Sequence, residues 1–216
     1  MKNVALIGAT GFVGSAVLQE LLDRGFTVTA IARHVDAIKS TAHVIAIQAD
    51  VTEETVLSAA LKGNDVVVSA FNAGWKNPNL YDDFMAGGRS ILQAVKSAAV
   101  PRAIFIGGAG SLEVDGKKIV DTADFPREIK AGAQAAADYL EIVKREHDIN
   151  WTFFSPAIEM NPETSGKRTG KYRTNSNSPV FDKQGRSVLS VEDLAVAIAD
   201  EIENPKFEHE RFTAGY

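Results

Sequence analysis

The chain has 216 residues, 45% of them hydrophobic, and carries a formal net charge of -5. This length and composition favour one soluble domain, residues 1–216, with a sizeable core. The mild acidity and the lack of a long lysine or arginine run argue against nucleic acid and anionic membranes as main partners. The absence of cysteine excludes disulfides, thiolate metal ligands and a cysteine nucleophile. Because no leader-like or membrane-spanning apolar run occurs, we expect a cytoplasmic protein.

The first feature in the chain is an apolar run, residues 4–7, followed directly by a glycine-rich stretch, residues 8–14. Glycines let the backbone turn sharply and approach a pyrophosphate, and the following helix directs free N–H groups and its positive dipole end at the anion. Leu18 and Leu22 recur at helical spacing, and residues 26–32 predict a second strand. This βαβ unit predicts a dinucleotide cofactor. The predicted contacts are Gly8, Thr10, Gly11, Phe12, Val13 and Gly14.

Further along, strand-like segments alternate with segments of helical periodicity. The strands are predicted at residues 44–48, 65–70, 103–106 and 151–154, and the helices at residues 53–62, 80–99 and 128–146. This alternation predicts a parallel sheet covered by helices on both faces. Right-handed crossovers then give an α/β, doubly wound Rossmann-type architecture.

The composition of the sequence changes beyond Pro156. Residues 161–179 are rich in Gly, Ser, Thr, Asn and basic residues, and they predict loops with short strands. Ser190 then opens a helix as its N-cap, with Asp193 at the third helical position. We therefore expect residues 156–216 to form a small C-terminal elaboration on the substrate side of the same domain.

The glycine spacing, G-x-x-G-x-x-G, resembles that of the short-chain dehydrogenase/reductase superfamily. In open α/β sheets, ligands bind beyond the carboxyl ends of the strands, and Arg33 ends the second strand where an NAD enzyme usually places an acidic residue against the ribose 2′-hydroxyl. A guanidinium favours a 2′-phosphate through paired donors, so we predict NADP(H). NAD(H) stays open because Asp36 is close in sequence, and the alternative role of Arg33 is that of an ordinary solvated arginine.

The next two strand ends resemble adenosine contacts of the superfamily. Asp50, with Val51, resembles the adenine contact, in which the carboxylate accepts from the adenine amino group. The alternative is that Asp50 caps the following helix. The fourth strand ends in a segment that resembles the superfamily's N-N-A-G, whose backbone lines the adenosine. Its predicted contacts are Ala70, Phe71 and Asn72.

The last two strand ends supply candidates for the reacting end of the cofactor. Ser111 matches the place where family members carry a catalytic serine that polarises a substrate carbonyl, and its alternative role is a turn hydroxyl bonded to local backbone. Ser155 and Pro156 resemble a segment whose backbone meets the nicotinamide, and Gly108 is assigned to the same site. An apolar face for a planar ring could come from aromatic residues that are otherwise core. They are Phe71, Trp75 and Phe154.

The sequence lacks the proton donor of the superfamily. There, a tyrosine four residues before a lysine protonates the substrate, while the lysine lowers the tyrosine pKa and holds the ribose. The resemblance puts Lys130 in the lysine role, but the residue four positions earlier is Pro126. We expect Tyr139 to be a packing or surface residue of its amphipathic helix rather than a catalytic one. Alternative donors are Tyr81 and Tyr172.

Three stretches carry a narrower resemblance. They are residues 107–114, 168–173 and 190–195. They resemble small atypical members of the superfamily, namely NAD(P)-dependent epimerase/dehydratase-like proteins and NADH-flavin reductases, with biliverdin-IXβ/flavin reductase as a relative. The resemblance implies an NADPH-dependent reductase of a planar acceptor such as a flavin or quinone. Hydride transfer to such an acceptor takes its proton from water, so the missing tyrosine is dispensable.

Two other functions stay open. The missing tyrosine also suits a non-catalytic protein that senses NAD(P) and reports to a protein partner. A sugar-nucleotide epimerase or dehydratase is the third alternative, although that chemistry needs the missing acid. No metal site is predicted, because the four histidines show no zinc spacing. We expect a monomer or a homodimer.

Overall fold

The computed structural model describes residues 2–216. The helices are α1 Phe12–Asp23, α2 Glu54–Leu61, α3 Leu80–Ser97, α4 Arg127–Val143 and α5 Val191–Glu203. The strands are β1 Asn3–Ile7, β2 Thr27–Ala32, β3 Val44–Gln48, β4 Val66–Ser69, β5 Arg102–Ile106, β6 Glu113–Val114, β7 Lys117–Lys118, β8 Asn150–Phe154, β9 Arg173–Asn175 and β10 Glu210–Gly215. The predicted strands and helices are confirmed, with small shifts at their ends. The sequence patterns did not predict β6, β7 and β10.

The main sheet has eight strands in the order β3-β2-β1-β4-β5-β8-β10-β9. β9 is antiparallel to β10, and the other pairs are parallel. The chain builds outward from β1 to β3 and then returns to place β4 on the other side of β1. A doubly wound sheet has a crevice at this reversal, beyond the carboxyl ends of β1 and β4. The predicted Rossmann-type architecture is therefore confirmed.

Helices cover both faces of the sheet, each over its own apolar layer. Helices α2, α3 and α4 pack on one face, in the layer that contains Ile7 and Phe105. Helices α1 and α5 pack on the other face, in the layer that contains Leu6 and Phe154. Successive strand residues point to opposite faces, so a parallel strand covered on both sides must be apolar throughout, as residues 4–7 are.

The turn between β1 and α1 depends on two close backbone approaches. Gly8 has a φ of +79°, and a Cβ at this position would lie 2.7 Å from the carbonyl oxygen of Ala70. Gly14 lies in the first turn of α1, and a Cβ there would lie 2.0 Å from the carbonyl oxygen of Gly8. Because neither approach leaves room for a side chain, α1 starts directly over the turn only with glycine at both positions.

The C-terminal region shares the sheet with the rest of the chain. Arg102 of β5 is 6% exposed and donates to Glu201 of α5, with Nη2 and Oε1 2.6 Å apart. Glu201 also accepts from the backbone N–H groups of Lys206 and Phe207, just before β10. Buried charges of this kind are tolerated only when they are paired and hydrogen-bonded. We propose that residues 156–216 do not fold as an independent unit.

A second ionic cluster ties the C-terminal loop to α1. Glu20 is 4% exposed and accepts from Arg24 and from Arg168, each with a donor–acceptor distance of 2.7 Å. The hydrogen bond from Arg168 is the main cause that holds the pKa of Glu20 below its usual range, against the opposing effect of burial, and Arg24 adds to it. The charge on Glu20 therefore contributes to the stability of the fold.

Replacing Gly14 by alanine should lower the free energy of unfolding by roughly 1–3 kcal/mol, because the new Cβ displaces the turn. Urea unfolding of Gly14→Ala and of the matched control Ser15→Ala, whose side chain is exposed, would measure the difference. Equal free energies of unfolding for the two variants would contradict the close approach of Gly14 to the Gly8 carbonyl.

Replacing Glu20 by glutamine should lower the free energy of unfolding at neutral pH by about 2 kcal/mol, because two arginines lose a charged acceptor. The folded-state pKa lies below the ordinary value of 4.5, so this stabilisation is present above that pH and is lost as the pH falls through the folded-state pKa. Urea unfolding from neutral pH to about pH 3 should show the gap to wild type closing.

The exposed Glu163→Gln variant serves as the charge-matched control for this series. A gap between Glu20→Gln and wild type that is as wide in acid as at neutral pH would show that the charge of Glu20 is not its cause.

Candidate functional site

A cleft of about 430 Å³ lies at the carboxyl ends of β1, β2, β3 and β4, at the reversal of the sheet. A volume of this size is within the range of small-molecule sites. The predicted cofactor residues that line it are Gly8, Thr10, Gly11, Arg33, Asp50, Val51, Ala70, Phe71 and Asn72. The tertiary structure thus brings residues from four strand ends to one cavity.

The remaining predicted cofactor residues lie outside the lining of this cleft. Three of them, Phe12, Val13 and Gly14, belong to the first turn of α1, beside the cleft. The other three, Gly108, Ser155 and Pro156, follow β5 and β8, farther along the same edge of the sheet. Their contacts with a cofactor stay predictions.

The N-terminus of α1 is suited to an anion. Gly11 is its N-cap, and within the described residues of α1 no side chain caps the helix and no acidic residue occupies the first turn. The first intrahelical bond runs from the N–H of Ser15 to the carbonyl of Gly11, so the N–H groups before Ser15 have no partner inside the helix. Free N–H groups and the helix dipole together favour a phosphate.

Asp50 holds the loop after β3 and does not cap α2. Its Oδ1 accepts from both the backbone N–H and the hydroxyl of Thr52, at 2.9 Å and 2.7 Å. Helix α2 starts later, with Glu53 as its N-cap, so the helix-cap alternative is wrong. The hydrogen bonds from Thr52 hold the pKa of Asp50 below its usual range, and the nearby charge of Arg33 adds to this effect. The carboxylate is thus ionised and fixed in orientation at the cleft wall.

The segment after β4 packs its aromatic side chain against α3. The Phe71 ring stacks on Phe84 of α3, with centroids 5.7 Å apart, and lies so close to Gly87 that a Cβ there would be 2.5 Å from the ring. Asn72 fixes its own loop by accepting from the N–H of Gly74 at 2.7 Å. A ligand in the cleft would meet the residues of this segment that line it, among them Ala70, Phe71 and Asn72.

Sequence reasoning missed several residues of the cleft. His34 follows Arg33 in the lining, and Asn77 and Asp83 also line the cleft, with Asn77 Nδ2 donating to Asp83 Oδ2 at 2.7 Å. The position of His34 at a strand end was a signal for its location. Asn77 and Asp83 had no comparable signal, because the long connection between β4 and α3 is positioned by tertiary contacts.

Ser111 and Ser155 meet beneath the surface. Both side chains are fully buried, and their Oγ atoms are 2.8 Å apart. The Ser111 hydroxyl also donates to the carbonyl of Gly108 at 2.8 Å, as expected for a turn hydroxyl. The Ser111 hydroxyl thus has protein partners and no solvent exposure. Its direct contact with a substrate stays a prediction.

Of the three aromatic residues predicted to form an apolar face for a planar ring, Phe154 is wrong, because it is fully buried and packs edge-on against Phe212. Phe71 stacks on Phe84 of α3 and also lines the cleft, so its part in such a face stays a prediction. Trp75 is 60% exposed and lies against Gly132 of α4, where a Cβ would be 2.8 Å from the indole. Lys130 is exposed near the start of the same helix. Trp75 therefore packs on α4 at Gly132, two residues after Lys130 in the chain.

Every tyrosine of the chain donates its hydroxyl hydrogen to a protein acceptor. The pairs are Tyr81 with Asp138, Tyr139 with the Gly88 carbonyl, Tyr172 with Asp200, and Tyr216 with Asp193. The hydrogen bond to Asp138 raises the pKa of Tyr81, and burial is the main cause that raises the pKa of the other three. Of the two non-catalytic places expected for Tyr139, packing or surface, the structure shows packing in the core. In the described chain, no tyrosine has the lowered pKa of a catalytic acid.

Residues 8–205 match the family described as NAD(P)H-binding, and the chain belongs to this family. The uncharacterized protein YwnB of Bacillus subtilis is 36% identical over 214 residues, which are 98% of this chain and 97% of that protein. The structure of a putative epimerase from Bacteroides thetaiotaomicron is 43% identical with a TM-score of 0.91, and covers 100% of this chain and 97% of that one. A putative NADH-flavin reductase from Streptococcus pneumoniae is 32% identical with a TM-score of 0.87, over 100% and 99% of the two chains.

The similarity extends over the whole chain, so the resemblance to small atypical dehydrogenase/reductase relatives is confirmed. Within residues 2–216, no group of three or more His, Asp or Glu side chains is arranged to hold a metal ion. None of the helices in the described residues is both long and apolar enough to cross a bilayer.

Proposed function

We propose that this protein is an NADPH-dependent reductase of a planar acceptor, a flavin or a quinone. The observation that carries the proposal is that each tyrosine is tied to a protein acceptor, which leaves no tyrosine acid for a carbonyl substrate. A bound nicotinamide would supply a hydride, and a flavin or quinone that accepts it takes the accompanying proton from water. The Streptococcus pneumoniae relative supports this choice through its description as an NADH-flavin reductase.

The chain's own residues fit a dinucleotide along the carboxyl edge. The N–H groups at the start of α1 would bind the pyrophosphate, and Asp50 would accept from the adenine amino group, while the backbone at Phe71 lines the adenosine. The loops that contain Gly108 and Ser155 would then contact the nicotinamide. Lys130 would reach the ribose from the first turns of α4.

The preference for NADPH rests on Arg33. Its side chain is exposed at the rim of the cleft, beside His34, and no carboxylate follows β2 directly. A guanidinium binds a phosphate through paired, charge-assisted hydrogen bonds that a ribose hydroxyl cannot reproduce. NADH would still bind through the remaining contacts, but more weakly.

The acceptor would stack near Trp75. This indole is largely exposed, and its contact with Gly132 holds one edge of the ring against α4. Aromatic rings in offset stacks gain about 0.5–1.5 kcal/mol beyond the burial of their area. Trp75 therefore supplies a face for a flat acceptor without supplying a proton.

Purified protein should bind NADPH and oxidise it faster in the presence of FMN, FAD or menadione than in their absence. Fluorescence of Trp75 and Trp151 reports binding, and nicotinamide absorbance reports oxidation. Trp75→Ala should raise the acceptor KM about tenfold, whereas Trp75→Phe keeps an aromatic face and should stay near wild type. If none of these acceptors accelerates the oxidation of NADPH, the proposed reductase function is wrong.

Replacing Arg33 by alanine should raise the Kd for NADPH about 10- to 100-fold and change the Kd for NADH little, because only the phosphate loses charged donors. The control is Arg145→Ala, which removes the same charge at an exposed position after α4. Equal losses for both cofactors would refute the 2′-phosphate assignment.

A second candidate is a protein that senses NAD(P) and reports to a protein partner, and the absence of a free tyrosine favours it as well. Tight NADPH binding without acceptor-dependent oxidation would support the sensor over the reductase. An epimerase, the description of the Bacteroides thetaiotaomicron relative, ranks below both, because its acid–base steps need a proton donor that the four engaged tyrosines do not offer. For either leading candidate we propose a cytoplasmic monomer or homodimer.

A further inference from the structure

Arg211 of β10 is a buried arginine that none of the roles above uses. It lies in register with Phe153 of β8 and is 6% exposed. Its Nη1 donates to the carbonyl of Ser111 at 2.5 Å, and its Nη2 donates to Oδ1 of Asn177 at 2.6 Å. Its Nε donates to the carbonyl of Ser176 at 3.2 Å. One guanidinium therefore binds two separate loops.

The partners of Arg211 are mostly neutral. The carboxylate recorded beside it is Glu113, at 3.7 Å, and that side chain is 40% exposed. Burial lowers the pKa of Arg211, and the nearby charges of Glu113 and Glu141 oppose this effect. A buried cation costs free energy unless its donors are satisfied, and here backbone carbonyls and an amide satisfy them. The geometry of both loops is therefore coupled to this side chain.

The two loops are also bonded to each other. The N–H of Glu113 donates to the carbonyl of Asn177 at 2.9 Å. Ser111 in turn holds the carbonyl of Gly108 and the hydroxyl of Ser155. A continuous series of hydrogen bonds thus runs from Arg211 through Ser111 to the ends of β5 and β8.

We propose that Arg211 is a positioning residue for hydride transfer. It fixes Ser111 and, through Ser111, the strand ends at Gly108 and Ser155, so that the nicotinamide and the acceptor meet in a productive arrangement. The proposal rests on the proposed reductase function for the location of the nicotinamide. It adds a residue that touches neither ligand, and small misplacements of reacting groups can change a rate about a hundredfold.

The first test compares Arg211→Met, which keeps much of the side-chain volume, with Arg211→Lys, which keeps the charge and one donor group. The control is Arg186→Met, which changes an arginine that is 57% exposed and bonded to Glu159. We would measure kcat with the acceptor that the wild type uses best and express it per NADPH-binding site. This kcat should fall at least about tenfold in Arg211→Met. It should recover in part in Arg211→Lys and stay unchanged in the control.

The Kd for NADPH should stay within about twofold of wild type in all three variants, because the adenosine cleft is built by other strands. A Kd that rises in parallel with the loss of kcat would show a general folding defect and overturn the positioning role.

The second test uses amide exchange and does not depend on turnover. Exchange in residues 109–114 should accelerate at least about tenfold in Arg211→Met, while β1 stays protected. If Arg211→Met does not fold, Arg211→Lys is measured instead, since one ammonium cannot hold both loops and exchange should still accelerate. If amide exchange in residues 109–114 of the measured variant is as slow as in the wild-type protein, the proposal is overturned.

The two proposals fail in different ways. If none of the tested acceptors accelerates NADPH oxidation by the wild-type protein, the proposed reductase function is refuted. The exchange measurement then still decides whether Arg211 fixes the loops. An active wild type whose Arg211→Met variant has unchanged kcat and unchanged exchange refutes the positioning role alone.

Discussion

The close approach of α1 to the turn after β1 is the constraint on which the site depends. With 2.0 Å between a Cβ at Gly14 and the Gly8 carbonyl, the helix can begin only where no side chain intervenes. This contact aims the uncapped first turn of α1 at the end of β1. Since β4 lies beside β1, the same turn also meets the carbonyl of Ala70. The proposed anion site and the proposed adenosine wall therefore both depend on the packing of this one turn.

Charge within the protein is arranged to hold loops in place. Arg102 with Glu201 fastens β5 to α5, Arg168 with Glu20 fastens the C-terminal loop to α1, and Arg211 binds the loops beside β10. Each pair is largely buried on at least one side, where a missing partner costs much more than at the surface. Helix α5 and β10 of the C-terminal region also contribute buried apolar residues to the core, among them Leu194, Ile198 and Phe212, so the polar contacts act in addition to apolar packing.

The engaged tyrosines connect structure to chemistry. A catalytic tyrosine needs a lowered pKa and a free hydroxyl, and the environment of Tyr139 does the opposite, because burial and the Gly88 carbonyl hold its proton. This is why we propose an acceptor that takes a hydride and receives its proton from water. In that proposal, Trp75 and the strand ends at Gly108 and Ser155 would supply the proximity and orientation that the reaction still needs.

The sequence by itself determined the βαβ unit, the glycine turn, the alternation of strands and helices and the N-cap at Ser190, because all of these are local patterns of spacing. Strand β10 escaped prediction, since its place between β8 and β9 depends on distant partners. Only the tertiary structure decided that Phe71 turns into α3 and that Ser111 lies buried against Ser155. Arg211 shows the same limit: its partners lie about 100 and 34 residues away in the chain, and no local pattern encodes contacts across such separations.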